Sequence, residues 1–136
     1  MATSKRTQKL LVAIVDDDES MRDTTKDLLD SAGFLTATFA SAEAFLKSPR
    51  RAKVSALIAD MLMPGMSGLA LHQQLASSGS PIPNILITAY SDDAVRVRAQ
   101  EVGVYCYLAK PFAAEELLGC VGTAITAGRQ GATRGG

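Results

Sequence analysis

The sequence predicts an α/β domain built on a parallel β-sheet with helices on both faces. Three observations carry that expectation. Five apolar runs of strand length recur along the 136 residues, and helix-like segments separate them. The first, third and fourth runs are almost continuously apolar, as strands covered on both faces are. Repeated β–α units of this kind are joined by right-handed crossovers, and the length suits one domain.

The elements follow in chain order. Residues 10–15 (LLVAIV) form the first strand. Residues 19–32 carry Met21, Leu28, Leu29 and Ala32 on one side of a helix, with Gly33 as its stop. Residues 34–39 (FLTATF) alternate as a second strand. Ser41 caps a short helix to about Lys47, and 54–59 (VSALIA) is the third strand. Ser67 caps a helix through Leu69, Leu71 and Leu75, which "SSGSP" stops. Residues 82–87 (IPNILI) are the fourth strand, and Ser91, Asp92 and Asp93 open the next helix. Residues 104–108 (VYCYL) are the fifth strand, and Leu117, Leu118, Val121 and Ile125 mark the last helix.

Composition excludes several function classes. The chain is 47% apolar with 14 basic and 14 acidic residues, so no basic excess draws nucleic-acid phosphates. Cys106 and Cys120 stand in apolar runs without a CxxC or Cys/His spacing, which reads as two free thiols rather than a zinc site. No run has the length of a membrane span, and the polar start (Thr3, Ser4, Lys5, Arg6) has no signal-peptide core, so a cytoplasmic protein without membrane contact is expected. Residues 1–8 read as a flexible tail, 9–127 as the domain, and 128–136 (GRQGATRGG) as a disordered Gly-rich tail.

In a sheet of this type ligands bind beyond the carboxyl ends of the strands. Strand 1 ends in Asp16, Asp17 and Asp18, strand 3 in Asp60, strand 4 in Thr88, and strand 5 in Lys110 followed by Pro111. Two like charges at roughly 5 Å repel by about 3 kcal/mol at an effective dielectric near 20, so such acids need compensation. Clustered carboxylates hold Mg²⁺, a carboxylate beside the cation can attack phosphorus, and a hydroxyl and an ammonium can hold the other phosphoryl oxygens. The set fits phosphoryl transfer onto an aspartate. Taken singly, each residue also has a structural reading. Asp18 and Glu19 suit the first turn of a helix, Asp60 a turn, Thr88 a half-buried strand and Lys110 the surface.

The motifs "IVDDDESMR" (14–22), "LIADMLMPGMSGL" (57–69), "LITAY" (86–90) and "YLAKPF" (107–112) resemble those of the receiver domain of two-component response regulators. The resemblance covers about residues 9–127. It implies a flavodoxin-like (βα)5 fold with strand order 2-1-3-4-5. It implies that Asp60 is the phosphoacceptor and that Asp16, Asp17, Asp60 and the Leu62 backbone carbonyl hold Mg²⁺. Thr88, the Ala89 N–H and Lys110 would hold the phosphoryl group, with Lys110–Pro111 often cis. Met63, Pro64, Gly65 and Gly68 would shape the loop after Asp60. The implied donor is a sensor histidine kinase. Thr88 and Tyr107 would switch a surface made by helix 4, strand 5 and helix 5 towards a downstream protein partner or a homodimer. On this reading the chain is a phosphoacceptor signalling domain that catalyses only its own phosphorylation and dephosphorylation.

Two other readings stay open. A receiver-like module could bind partners without phosphorylation. An Asp-nucleophile phosphatase would use the D-x-D of Asp16 and Asp18, with Asp16 as nucleophile, although nothing then explains Asp60 and "MPG". Departures from the family pattern add expectations. Leu62 and Tyr90 are bulky and non-acidic beside the phosphoryl position, which predicts slow hydrolysis. Ala113 and Ala114 offer no side-chain cap, so the first turn of the last helix is expected to fray. His72, the single histidine, reads as a partly exposed helix residue, and Arg96 and Arg98 as a solvated helix face. The residues after Ala127 are too few for a helix-turn-helix output domain, which leaves a stand-alone receiver or a piece of a longer regulator.

Overall fold

The structure is a computed structural model that describes residues 10–79, 82–89 and 92–135, with side chains described as far as Thr126. Five parallel strands form one sheet in the order β2-β1-β3-β4-β5. They are β1 (Leu11–Val15), β2 (Leu35–Phe39), β3 (Val54–Asp60), β4 (Asn84–Thr88) and β5 (Cys106–Ala109). The helices between and after them are α1 (Glu19–Ser31), α2 (Ala42–Lys47), α3 (Gly68–Ser77), α4 (Asp93–Glu101) and α5 (Ala114–Gly135).

Side-chain alternation along the buried strands splits the core into two halves. Ala13 and Val15, Leu57 and Ala59, and Leu86 face α2, α3 and α4, where Phe45, Leu71, Leu75 and Ala99 close over them. Val12 and Ile14, Ala56 and Ile58, and Ile85 and Ile87 face α1 and α5, where Leu29, Leu117, Val121 and Ala124 do the same. Both faces of β1, β3 and β4 are dry, which is why their sequences are apolar runs. The outer strands differ: β2 exposes Leu35 and alternates, and β5 is only half-buried.

Local chemistry starts each helix. Asp18, Ser41, Ser67 and Asp92 cap α1 to α4, each accepting from a backbone N–H of the first turn. Gly33, at φ 97°, follows the α1 C-cap Ala32. The α5 start does not lack a partner: the Glu116 carboxylate reaches back and accepts from the Ala113 N–H at 2.9 Å. The expected fraying is therefore corrected by the reciprocal half of a capping box, which needs no hydroxyl at the cap.

Other boundaries moved. β4 begins at Asn84 because Pro83 lacks an N–H, and its carbonyl instead accepts from Leu57. β5 begins at Cys106, after Val104 and Tyr105. A 3₁₀ turn at Pro49–Lys53, capped by Ser48, was not foreseen. The α5 bounds run past Ala127 over 128–135, where side chains lie outside the described residues, as does the whole of the expected N-terminal tail. Among the described residues no helix is long and apolar enough to cross a membrane.

Candidate functional site at the carboxyl edge of the sheet

Parallel pairing sets the ends of β1, β3, β4 and β5 side by side, and this places the site. Val15 pairs with Ala59, Asp60 with Ile87, and Thr88 with Ala109. The residues just past those rungs therefore meet. Asp16 and Asp60 are buried at 5% and 8% exposure, with Asp17 exposed beside them. One carboxylate oxygen from each of the three lies within 4.8 Å of the others. The Lys110 Nζ stands 3.3 Å from Asp60 Oδ2 and 3.9 Å from Asp16 Oδ2. Thr88, one residue past the rung opposite Asp60, is buried, and its carbonyl accepts from the Lys110 N–H at 2.8 Å. The Lys110–Pro111 peptide bond is cis.

The backbone braces these side chains. Asp16 Oδ1 accepts from the Asp18 N–H at 2.9 Å, and Asp60 Oδ1 accepts from the Leu62 N–H at 3.1 Å. Each carboxylate thus has one oxygen fixed by its own chain and keeps its other oxygen, Oδ2, on the Lys110 side. Burial raises the Asp16 carboxyl from the ordinary carboxylate range to about 6. The Asp18 N–H and the Lys110 ammonium oppose that rise, and the Asp60 charge adds to it. An all-oxygen set of three carboxylates, two of them buried, fits a hard divalent cation such as Mg²⁺.

Two contributors were missed in the sequence. Arg22, on the first turns of α1, donates from Nη1 to the Asp16 carbonyl at 2.7 Å and so ties the helix to the end of β1. Glu43, at the start of α2, accepts from the Met66 N–H at 3.3 Å and braces the loop after Asp60. The Arg22 contact had a signal, a basic residue one helical turn past the acids. The Glu43 contact had none, because its partner is 23 residues away.

Gly68 closes that loop. Its N–H donates to the Met61 carbonyl, and a Cβ on it would stand 2.5 Å from the Asp60 carbonyl oxygen and 2.8 Å from Leu86 Cδ2. Gly68→Ala gains up to about 1 kcal/mol of helix propensity but overpacks rigid backbone, which typically costs about 1–3 kcal/mol. A net loss of stability in denaturant unfolding is the expected result, and a more stable variant would show that the loop yields freely.

Of the remaining expected residues, Leu62 meets the acids through its backbone N–H. Tyr107 pairs with Leu86 across β4 and β5 and packs into the same core half, on the sheet face that Thr88 shares. Its hydroxyl is buried without a hydrogen-bond partner. Leu62 projects outward at 55% exposure, and Tyr90 and Ser91 lie outside the described residues. His72 is corrected: it is buried, with Nε2 2.8 Å from the Val102 carbonyl, where it joins α3 to the end of α4. Arg96 is exposed and pairs with Asp93 on its own helix, and Arg98 is exposed beside it. On the α1 side, Lys110 also lines an apolar groove of about 590 Å³ with Met21, Thr25, Leu28, Pro111 and Phe112.

A doubly wound five-stranded domain with its acids gathered at the carboxyl edge defines the class, and comparison with known proteins gives the family. The response regulator receiver domain family matches residues 12–121, and the chain belongs to it. The transcriptional regulatory protein FixJ of Bradyrhizobium diazoefficiens is 34% identical over 119 residues, 88% of this chain and 58% of that protein. The response regulator protein TmoT of Ectopseudomonas mendocina is 37% identical over 118 residues, 87% of this chain and 54% of that protein. The chain thus spans little more than half the length of these curated relatives. The crystal structure of FixJ-N superposes with a TM-score of 0.78 at 33% identity, covering 88% of this chain and 95% of that one. The expected strand order and flavodoxin-like architecture are those found.

Proposed function

We propose that the chain accepts a phosphoryl group on Asp60 from the phosphohistidine of a sensor histidine kinase and passes the signal on by protein contact. The observation that carries this reading is the buried Asp16–Asp60 pair, with the exposed Asp17 in reach and Lys110 held 3.3 Å from Asp60. Asp16, Asp17, Asp60 and the Leu62 carbonyl would hold Mg²⁺. When bound, the cation supplies positive charge for the phosphoryl oxygens. The Asp60 carboxylate attacks phosphorus in line, the bond from phosphorus to the histidine ring nitrogen breaks, and that nitrogen leaves with the electron pair. Lys110 and Thr88 hold phosphoryl oxygens from neighbouring strand ends. The groove beside Lys110 gives the donor protein an apolar wall next to Asp60. The reading places the chain with its kinase in the cytoplasm.

The output step uses Tyr107. A buried hydroxyl without a partner costs about 1–3 kcal/mol, so the inward arrangement carries a penalty that an outward turn relieves. Movement of Thr88 towards a phosphoryl group opens room on the face it shares with Tyr107. Rotation of Tyr107 then changes the surface of α4, β5 and α5, a population shift between two packings that a protein partner or a second copy reads. Tyr107→Phe removes the penalty and holds the ring inward. It is expected to raise stability by about 1 kcal/mol and to weaken phosphorylation-dependent association while phosphoryl uptake stays intact. Full phosphorylation-dependent association in that variant would remove Tyr107 from the switch.

The testing experiment is intact-protein mass after incubation with a small-molecule phosphodonor and Mg²⁺, for the native chain and Asp60→Ala. One phosphoryl adduct on the native chain only, abolished by a chelator, is the expected result. No adduct on either chain would favour a module that binds partners without phosphorylation. An adduct kept by Asp60→Ala and lost by Asp16→Ala would favour the phosphatase-like use of Asp16.

A further inference from the structure

Cys106 and Cys120 take no part in the carboxyl-edge site. Cys106 opens β5, at the opposite end of that strand from Lys110, and Cys120 lies on α5. The two side chains pack against the same half of the core, below α1 and α5. Each thiol lies close enough to the other to act on its ionisation. Both are free and only half-buried. Both line one open groove on the protein surface, together with Tyr105, Glu116 and Thr123. Two free thiols from a strand and a helix that share one groove open to solvent are more than either cysteine offers alone.

We infer that Cys106 and Cys120 form a modification site, a thiol pair that a peroxide closes into an intramolecular disulfide joining β5 to α5. The order of the steps follows from the surroundings. Burial, helped by the nearby Cys120 thiol, pushes the Cys106 thiol up to about 12, so it does not supply the first thiolate. The Cys120 sulfur attacks one peroxide oxygen, the O–O bond breaks, water leaves and a sulfenic acid remains. The Cys106 sulfur then attacks that sulfur, the S–O bond breaks, and the departing hydroxide takes the Cys106 proton. Two thiols and one hydrogen peroxide give one disulfide and two waters, and the sulfurs lose the two electrons that oxygen gains.

The test is peroxide treatment of the full native chain, without denaturant, followed by alkylation and intact mass. The expected result is a loss of about 2 Da, with both cysteines protected from alkylation until a reductant is added. Cleavage at Glu115 and Glu116 should then yield two peptides joined through Cys106 and Cys120. Cys120→Ala should show neither the mass loss nor the joined peptides, and the linked peptides from the native chain decide the matter even where that variant folds poorly. Two freely alkylated thiols after treatment would overturn the inference. So would disulfides between separate chains, or a sulfinic acid on one cysteine with the other still a thiol.

Discussion

Lys110→Met should slow phosphoryl uptake at Asp60 by roughly a hundredfold to a thousandfold, the usual loss when one fixed charge-stabilising donor is removed from a reacting site. The Lys110 ammonium stands near both buried carboxylates, 3.3 Å from Asp60 and 3.9 Å from Asp16. Its side chain is only 22% exposed, so water screens it weakly. Methionine keeps most of the stem and its packing and deletes the charge. The same deletion should act in the opposite direction on the metal. A bound divalent cation is repelled by the ammonium, so at pH 8 Mg²⁺ should bind the variant more tightly by a few fold. Slower uptake with tighter Mg²⁺ separates a charge role from general damage, because an unfolded or loosened site would lose both. Unchanged uptake, measured from intact mass against time, would remove Lys110 from the chemistry.

Much of this arrangement was legible in the sequence because strand burial and strand ends leave local marks. β1, β3 and β4 are covered on both faces and so are written as apolar runs, and each run ends at a polar residue of the carboxyl edge, Asp16, Asp60 or Thr88. Asp18, Ser41 and Ser67 cap helices through bonds that span three residues, within reach of local reading. What escaped depends on pairs distant in sequence. The Glu43 brace joins α2 to the loop after Asp60, and Cys106 and Cys120 share a groove between a strand and a helix. His72 looked exposed because its polarity suggests water, yet the Val102 carbonyl satisfies it within the fold. The α5 start failed for a different reason. Its partner, Glu116, stands three residues on and caps from inside the helix, where a hydroxyl or acid at the cap position is not needed. The strand order came from family resemblance, since alternation and burial assign faces and leave neighbours open.

Mg²⁺ should stabilise the protein at neutral pH and do so much less in mild acid. Without metal, the folded Asp16 carboxyl titrates near 6, well above the ordinary value of 3.8 expected of the unfolded chain. The folded state therefore holds an extra proton between about pH 4 and 6. The stability contributed by this group is fully present below pH 4 and is lost as pH rises through 6. Metal binding has the reverse requirement, since Asp16, Asp17 and Asp60 must be ionised to serve as ligands. At pH 7.5 and a Mg²⁺ concentration of about ten times Kd, linkage adds about 1.4 kcal/mol, which corresponds to a rise in Tm of roughly 3–6 °C. At pH 5 the proton on Asp16 weakens the apparent affinity about tenfold, and the rise should shrink to roughly a quarter of its value at pH 7.5. The difference between Mg²⁺ and chelator at each pH is the quantity to measure, because it cancels the titration of carboxylates outside the metal site. Asp17→Asn should reduce that difference at pH 7.5 while leaving the chelator curve nearly unchanged, since Asp17 is exposed and contributes little to the metal-free fold. A Mg²⁺ effect of equal size at pH 5 and 7.5 would mean that the cation binds elsewhere than at the three acids.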